Sequence, residues 1–154
     1  KEAYELNGNK KINLLGFSMG GAVATRISLE MKDYIDNLVL LAPAGMMPQS
    51  IRKRFEIRTM DKDGNIDLGG FKMNKKVDDT FEGYDMYKDI ETFDKPVLIV
   101  QGSSDQAVFP EYSKRYHDLY PDSRYHMIEG AEHCFTKVEY RERLNELVRE
   151  FLNK

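Results

Sequence analysis

A serine flanked by glycines is the first feature of the sequence that could do chemistry. Gly16-Phe17-Ser18-Met19-Gly20 matches the pattern G-x-S-x-G, with an apolar run before it and a helical pattern after it. In that context, a sharp strand-to-helix turn raises a serine hydroxyl above the sheet, and the glycines avoid collisions. We therefore predict that Ser18 is a nucleophile and that the Met19 N–H binds an oxyanion. The alternative is a glycine-rich turn with an incidental serine.

A serine nucleophile needs a general base, and the base needs an acid that orients it. Of the three histidines, His117 is predicted in a helix and His126 in a strand, whereas His133 follows the last strand in a loop. That loop belongs to the carboxyl edge of a parallel sheet, where Ser18 is also expected. We predict that His133 is the base and that the other two are structural or exposed.

The orienting acid should come from another strand end, between the serine and the histidine in chain order. Asp105 follows the predicted strand Val97–Val100 directly, whereas Asp89 and Asp94 precede it and would lie at the opposite end of the sheet. Asp105 is therefore predicted to orient His133. The alternative role for this residue is that of a turn former or helix cap.

The elements that must position these side chains alternate regularly. Apolar runs predict three strands, at Lys11–Gly16, Asn37–Pro43 and Pro96–Gly102, and a fourth strand is predicted at Arg124–Gly130. Helical patterns follow the first, third and fourth, and a capping box of Thr136 and Glu139 predicts the start of the last helix. This order predicts an α/β fold with a parallel sheet covered on both faces.

Residues 44–90 interrupt the alternation, and they form a segment far longer than an ordinary connection between two strands. We predict that they form a cap inserted into a core made of residues 1–43 and 91–154. Asp63-Gly64 predicts a hairpin turn between Phe55–Met60 and Ile66–Leu68. The methionines and aromatic residues of the cap could line an acyl pocket, but a small core of their own is favoured, so no substrate residue is assigned.

Composition excludes several classes of protein. The chain of 154 residues has 23 basic and 26 acidic side chains and a net charge of −3, without a block of like charges. This balance argues against binding to nucleic acid or to a membrane surface. No apolar run approaches the roughly 18 residues that span a bilayer. The single cysteine, Cys134, excludes an internal disulfide and is expected to be a small buried hydrophobe.

The first ten residues bear on where the chain fits in a longer protein. Lys1–Lys10 has no initiator methionine and no apolar segment, so it is not a signal peptide, and it is typical of a helix end that runs into a strand. We interpret the chain as the C-terminal part of a longer protein, and we expect it in the cytoplasm.

Several motifs together carry a resemblance to a known family. They are Leu15–Gly21, Leu40–Ala44, Gly102–Asp105 and Ile128–Phe135, with further likeness in Ile66–Phe71, Lys95–Ile99 and Ser113–Tyr116. The chain resembles the α/β-hydrolase superfamily over nearly its whole length, and more narrowly the bacterial cinnamoyl (feruloyl) esterases and related carboxylesterases. The resemblance implies hydrolysis of a small-molecule ester, such as a ferulate ester, through an acyl-enzyme, with no metal and no cofactor.

The chain also departs from that family. Phe17 and Met19 stand where many of these esterases have His and Gln, and the family's early strands and His-Gly loop have no counterpart. The fold is therefore expected to be partial, from the strand before Ser18 onward. The unpaired edge of that strand predicts poor solubility or a homo-oligomer. A lipase resembling monoacylglycerol lipases, a thioesterase and a catalytically silent hydrolase fragment or binding module are the alternatives.

Overall fold

The chain forms two compact units. The computed structural model describes residues 2–153. The larger unit runs up to Gly45 and resumes at Tyr87, and the smaller one is Met46–Met86. That the smaller unit acts as a cap stays a prediction. The expected cytoplasmic location also stays a prediction. Within the described part of the chain, no helix has the length and apolar character that crossing a membrane requires.

Strands and helices alternate along the larger unit, as predicted. In chain order the elements are α1 (Glu2–Leu6), β1 (Ile12–Phe17), α2 (Met19–Glu30), β2 (Ile35–Leu41), α3 (Met47–Glu56), β3 (Asn65–Asp67), β4 (Lys72–Asn74), α4 (Lys75–Thr80), β5 (Val97–Gly102), α5 (Pro110–Leu119), β6 (Ser123–Ile128) and α6 (Val138–Leu152). The main sheet has the order β1-β2-β5-β6, and every neighbouring pair is parallel. The predicted parallel α/β sheet is therefore confirmed.

Successive residues of a strand point to opposite faces of the sheet. Consecutive apolar residues in β2 and β5 therefore place apolar side chains on both faces. One face of the sheet packs against the apolar stripe of α6. The strand residues of this core are Val39, Leu41, Leu98, Val100 and Ile128, and α6 contributes Leu147 and Phe151. The alternate residues Leu38, Leu40 and Ile99 are also fully buried, and α2 and α5 pack on the sheet. All strand ends that precede a predicted site residue thus belong to one rigid sheet.

The predicted capping box at the start of α6 is wrong. The helix begins at Val138 with Lys137 as its N-cap, and no side chain makes a capping hydrogen bond there. Thr136 instead donates from its hydroxyl and its backbone N–H to the carboxylate of Glu132. The helix begins one residue later than predicted, so Glu139 is its second residue and not the third, which is the position that a capping box requires.

The smaller unit has a core of its own. Ile51, Phe55 and Ile66 are buried together, and Met47, Leu68, Met73 and Phe81 pack against them. The predicted hairpin is misplaced: Phe55 lies in α3, and the paired strands are β3 and β4, which Gly69 and Gly70 connect. Ile51 and Phe55 are four residues apart, which is the spacing of one helix face and not of a strand. Gly64 lies in the turn that precedes β3.

Asp61 should make the stability of this hairpin depend on pH. Hydrogen bonds from the backbone and side chain of Asn65, together with the Lys72 ammonium, lower the pKa of Asp61 from 3.8 to about 2. A depressed folded-state pKa stabilises the fold above the unfolded value, and this contribution is lost as the pH falls from about 4 towards 2. We expect urea unfolding, followed by the NMR amide signals of Ile66 and Met73, to show this loss.

The matched variant for that measurement is Asp61→Asn, which has no carboxylate to protonate. Its hairpin should be less stable than the wild-type hairpin at pH 5, and the difference should shrink at pH 2. A constant difference across this range would mean that Asp61 does not supply the pH dependence.

β1 lies at one edge of the main sheet and has a strand neighbour on one side only among the described residues. Two of its apolar side chains on the α6 side of the sheet are exposed, Leu15 by 51% and Phe17 by 39%. An apolar edge strand is a template for pairing with another chain. The self-association expected from the sequence stays a prediction.

Candidate active site

Ser18 occupies the strained turn between β1 and α2. Its backbone has φ 54° and ψ −121°, a conformation that residues other than glycine rarely adopt. The segment after β2 holds the turn, because Ser18 N–H donates to the Leu41 carbonyl at 2.8 Å and Ala44 N–H donates to the Ser18 carbonyl at 3.0 Å. Met19 begins α2, so its N–H is one of the first-turn donors without a partner inside the helix. The positive end of the helix dipole lies at the same point.

Two glycines are needed for this turn, but they are not both in the motif. A Cβ on Gly16 would lie 2.3 Å from the carbonyl oxygen of Gly20, and one on Gly21 would lie 2.9 Å from Pro43. A Cβ on Gly20 would meet nothing within 4 Å. The prediction that both motif glycines avoid collisions is therefore wrong for Gly20, and Gly21 takes that role.

The structure brings Ser18, His133 and Asp105 together. His133 lies in the loop after β6, and its Nε2 is 2.9 Å from the Ser18 hydroxyl. Its Nδ1 is 2.7 Å from Oδ2 of Asp105, which lies in the loop after β5. The Asp105 side chain is fully buried, and the His133 side chain is 20% exposed. A hydroxyl, an imidazole and a carboxylate thus form one continuous chain of hydrogen bonds.

Further hydrogen bonds hold the Asp105 carboxylate. The backbone N–H groups of Ala107 and Val108 each donate to Oδ1 at 2.9 Å, and the side-chain amide of Gln101 donates to Oδ2 at 3.0 Å. These donors satisfy a charged group that would be costly to bury without partners. Gln101 was not predicted as part of the site, because its only sequence signal is a polar residue at the end of an apolar run.

The loops that carry Asp105 and His133 are bound to each other. Ser104 N–H donates to the Ala131 carbonyl at 2.9 Å, and Gly130 N–H donates to the Ser103 hydroxyl at 2.8 Å. Gly102 permits this approach, because a Cβ there would lie 2.3 Å from the Ala131 oxygen. The two loops therefore set the distance between acid and imidazole through hydrogen bonds with each other.

Comparison with known proteins identifies structures with a similar fold. Residues 2–68 match the family model described as the alpha/beta hydrolase fold. Est1E from Butyrivibrio proteoclasticus superposes with a TM-score of 0.84 at 26% identity, over 98% of this chain and 64% of that one. The chain has the α/β-hydrolase fold. The predicted resemblance is confirmed, and the chain spans less than two thirds of the length of Est1E, so the α/β-hydrolase fold is present in part, as predicted.

Other solved structures are similar in fold. A second structure of Est1E holds bound ferulic acid and matches equally well, with a TM-score of 0.84. An esterase domain from Rhodothermus marinus gives a TM-score of 0.73 at 19% identity, over 97% of this chain and 64% of that one. A monoacylglycerol lipase from Paleococcus ferrophilus gives 0.70 at 21% identity, over 98% and 71%. The curated protein sequences contain no significant match.

The remaining histidines lie outside the site. His117 Nδ1 is 2.8 Å from the Ser123 hydroxyl, and its ring stacks on Tyr125, while His126 lies within β6. Cys134 is exposed, so the expectation of a buried cysteine is wrong. The next residue, Phe135, is buried with a φ of 51°, and this turn leaves its neighbour outside the core.

The arrangement fixes which imidazole nitrogen carries the proton. A carboxylate only accepts hydrogen bonds, so Nδ1 of neutral His133 donates to Asp105 and Nε2 accepts from the Ser18 hydroxyl. In this tautomer, the imidazole can take the hydroxyl proton while the oxygen attacks an acyl carbon. The first-turn N–H groups of α2 lie next to the same hydroxyl and can stabilise negative charge that develops there.

Proposed function

We propose that the protein is a serine hydrolase that cleaves carboxylic esters through an acyl-enzyme. Ser18 attacks the ester carbonyl, His133 takes its proton and returns it to the leaving alcohol, and Asp105 orients the imidazole. The Met19 N–H stabilises the tetrahedral oxyanion. Water, activated by the same imidazole, then hydrolyses the acyl-enzyme and restores the serine.

The observation that carries this proposal is the hydrogen-bond chain from Ser18 to Asp105, with distances of 2.9 and 2.7 Å. The strained backbone of Ser18 supports it, because such strain is retained where the surrounding structure enforces it and is concentrated at functional sites. Burial of the Asp105 carboxylate supports it as well, because the imidazolium that forms during attack lies next to a fixed negative charge.

We expect Ser18 to react with a fluorophosphonate probe and the Ser18→Ala variant to lose labelling completely. Ser104→Ala is the matched control, because it removes an exposed serine hydroxyl from the loop that carries Asp105. That control should label like the wild type. Circular dichroism should show that both variants are folded. Labelling that persists in Ser18→Ala, or a folded wild type that does not label, would contradict the proposal.

The proposed acyl group is a hydroxycinnamate such as ferulate. Support comes from the structure of Est1E with bound ferulic acid, a protein to which this chain is 26% identical. The substrate would be a small-molecule ester. Hydrolysis of methyl ferulate should have a higher kcat/KM than hydrolysis of methyl butyrate, which has the same leaving alcohol, and equal or reversed values would reject the hydroxycinnamoyl assignment while leaving esterase activity in place.

A further inference from the structure

We propose that Gln101 is a positioning residue that fixes the carboxylate oxygen of Asp105 on which His133 depends. This inference rests on the proposed roles of Asp105 and His133. Gln101 lies at the end of β5 and is completely buried, although the strand around it is apolar. A buried amide requires partners for its two N–H groups and its oxygen.

The surroundings determine which way the Gln101 amide points. Its Nε2 lies 3.0 Å from Oδ2 of Asp105, 3.1 Å from the Val108 carbonyl and 3.2 Å from the Gly102 carbonyl. All three are acceptors, so the nitrogen and not the oxygen must face them. The amide oxygen accepts from the hydroxyl of Ser113 in α5, which is also completely buried. A flipped amide would place its oxygen against three acceptors.

Gln101 binds Oδ2 of Asp105, which is the carboxylate oxygen that His133 also binds. The backbone N–H groups of Ala107 and Val108 fix Oδ1 of Asp105, but both lie on that one side of the carboxylate. Oδ2 has two partners, His133 and Gln101. The Gln101 amide therefore limits rotation of the carboxylate and keeps Oδ2 in line with Nδ1 of His133.

The same amide also closes the Asp105 loop. Gly102 is the last residue of β5 and Val108 lies shortly before α5, and Gln101 Nε2 lies within hydrogen-bond distance of both carbonyls, so one of its two N–H groups is shared between two acceptors. One side chain thus holds the start of the loop, its end and the carboxylate between them. Ser113 contacts the far side of Gln101 and has no hydrogen bond to Asp105 among those described, which makes it the natural control.

The test compares Gln101→Met with Ser113→Ala in the complete chain. Met has a similar size but cannot donate to Asp105. We expect fluorophosphonate labelling of Gln101→Met to slow by about 10- to 100-fold, because a small displacement of a reacting group has effects of this size. The low-field proton NMR signal of the His133 Nδ1–H should shift or disappear. In Ser113→Ala, which keeps the Gln101–Asp105 bond, labelling should stay within about threefold of wild type, with an unchanged low-field signal.

A purely structural role would lower the melting temperature of both variants without moving the low-field signal, and that result would overturn the proposal. Equal loss of labelling in the two variants would overturn it too. Gln101→Asn keeps the amide but shortens its reach, so it gives the same test if Gln101→Met does not fold. If the wild type does not label at all, the proposed function fails, while the NMR signal of His133 still decides the role of Gln101.

Discussion

Replacement of Asp105 by Asn is expected to slow acylation of Ser18 about 10⁴-fold while the protein stays folded. The N–H groups of Ala107 and Val108 donate to Oδ1, so they hold the oxygen of the new amide at that position. Its NH₂ group then faces Nδ1 of His133, which must accept a hydrogen bond. An imidazole that accepts at Nδ1 carries its proton on Nε2, where it cannot take the proton of Ser18.

The matched control is Asp94→Asn, which removes a carboxylate that is 67% exposed and pairs with Lys95. Its rate of fluorophosphonate labelling should equal that of the wild type. The comparison is made with second-order labelling rates at neutral pH, and circular dichroism reports folding. If Asp105→Asn labels within tenfold of the wild-type rate, Asp105 does not set the tautomer of His133.

Replacement of Gly16 by Ala should destabilise the fold by on the order of 3 kcal/mol or more. The added Cβ would lie 2.3 Å from the Gly20 oxygen and 2.7 Å from the Gly21 Cα. Both of these atoms are backbone atoms, so the clash is relieved only if α2 moves away from β1. That movement would also separate the Ser18 hydroxyl from His133.

The matched control is Gly20→Ala, four residues along the same turn. A Cβ there meets nothing within 4 Å, and the residue lies in α2, so we expect the variant to gain about 0.4–1 kcal/mol. Urea unfolding followed by circular dichroism measures both effects. Similar stabilities for Gly16→Ala and Gly20→Ala would show that the close approach at Gly16 does not constrain the fold.

The parts of the site that could be predicted from the sequence are those fixed by topology. Ser18, Asp105 and His133 each follow a predicted strand, and the carboxyl ends of parallel strands meet at one edge of the sheet. The positions of β2 and β5 were the easiest to predict, because strands buried on both faces are near-continuous apolar runs. The predicted strands differ from the observed ones by at most two residues at either end.

The parts that could not be predicted depend on where an element begins and on which side chains meet after folding. Thr136 and Glu139 had the right spacing for a capping box, but α6 begins one residue later, with Lys137 as its N-cap. The role of Gln101 requires Ser113 and Asp105 to converge on one buried point, and nothing in local sequence spacing encodes that convergence. Gly20 fits the motif as well as Gly16 does, and only the packing of α2 against β1 separates their roles.

The hydrogen bonds between the loops of Asp105 and His133 affect how the site tolerates substitution. The acid and the imidazole belong to one preassembled piece, whereas the hydrogen bond of Ser18 to that piece runs through its hydroxyl alone. Exchanging the side chain at position 18 would therefore leave the proton-accepting half intact. The Asp105–His133 pair could therefore accept a proton from a different nucleophile at position 18 without any change in its two loops.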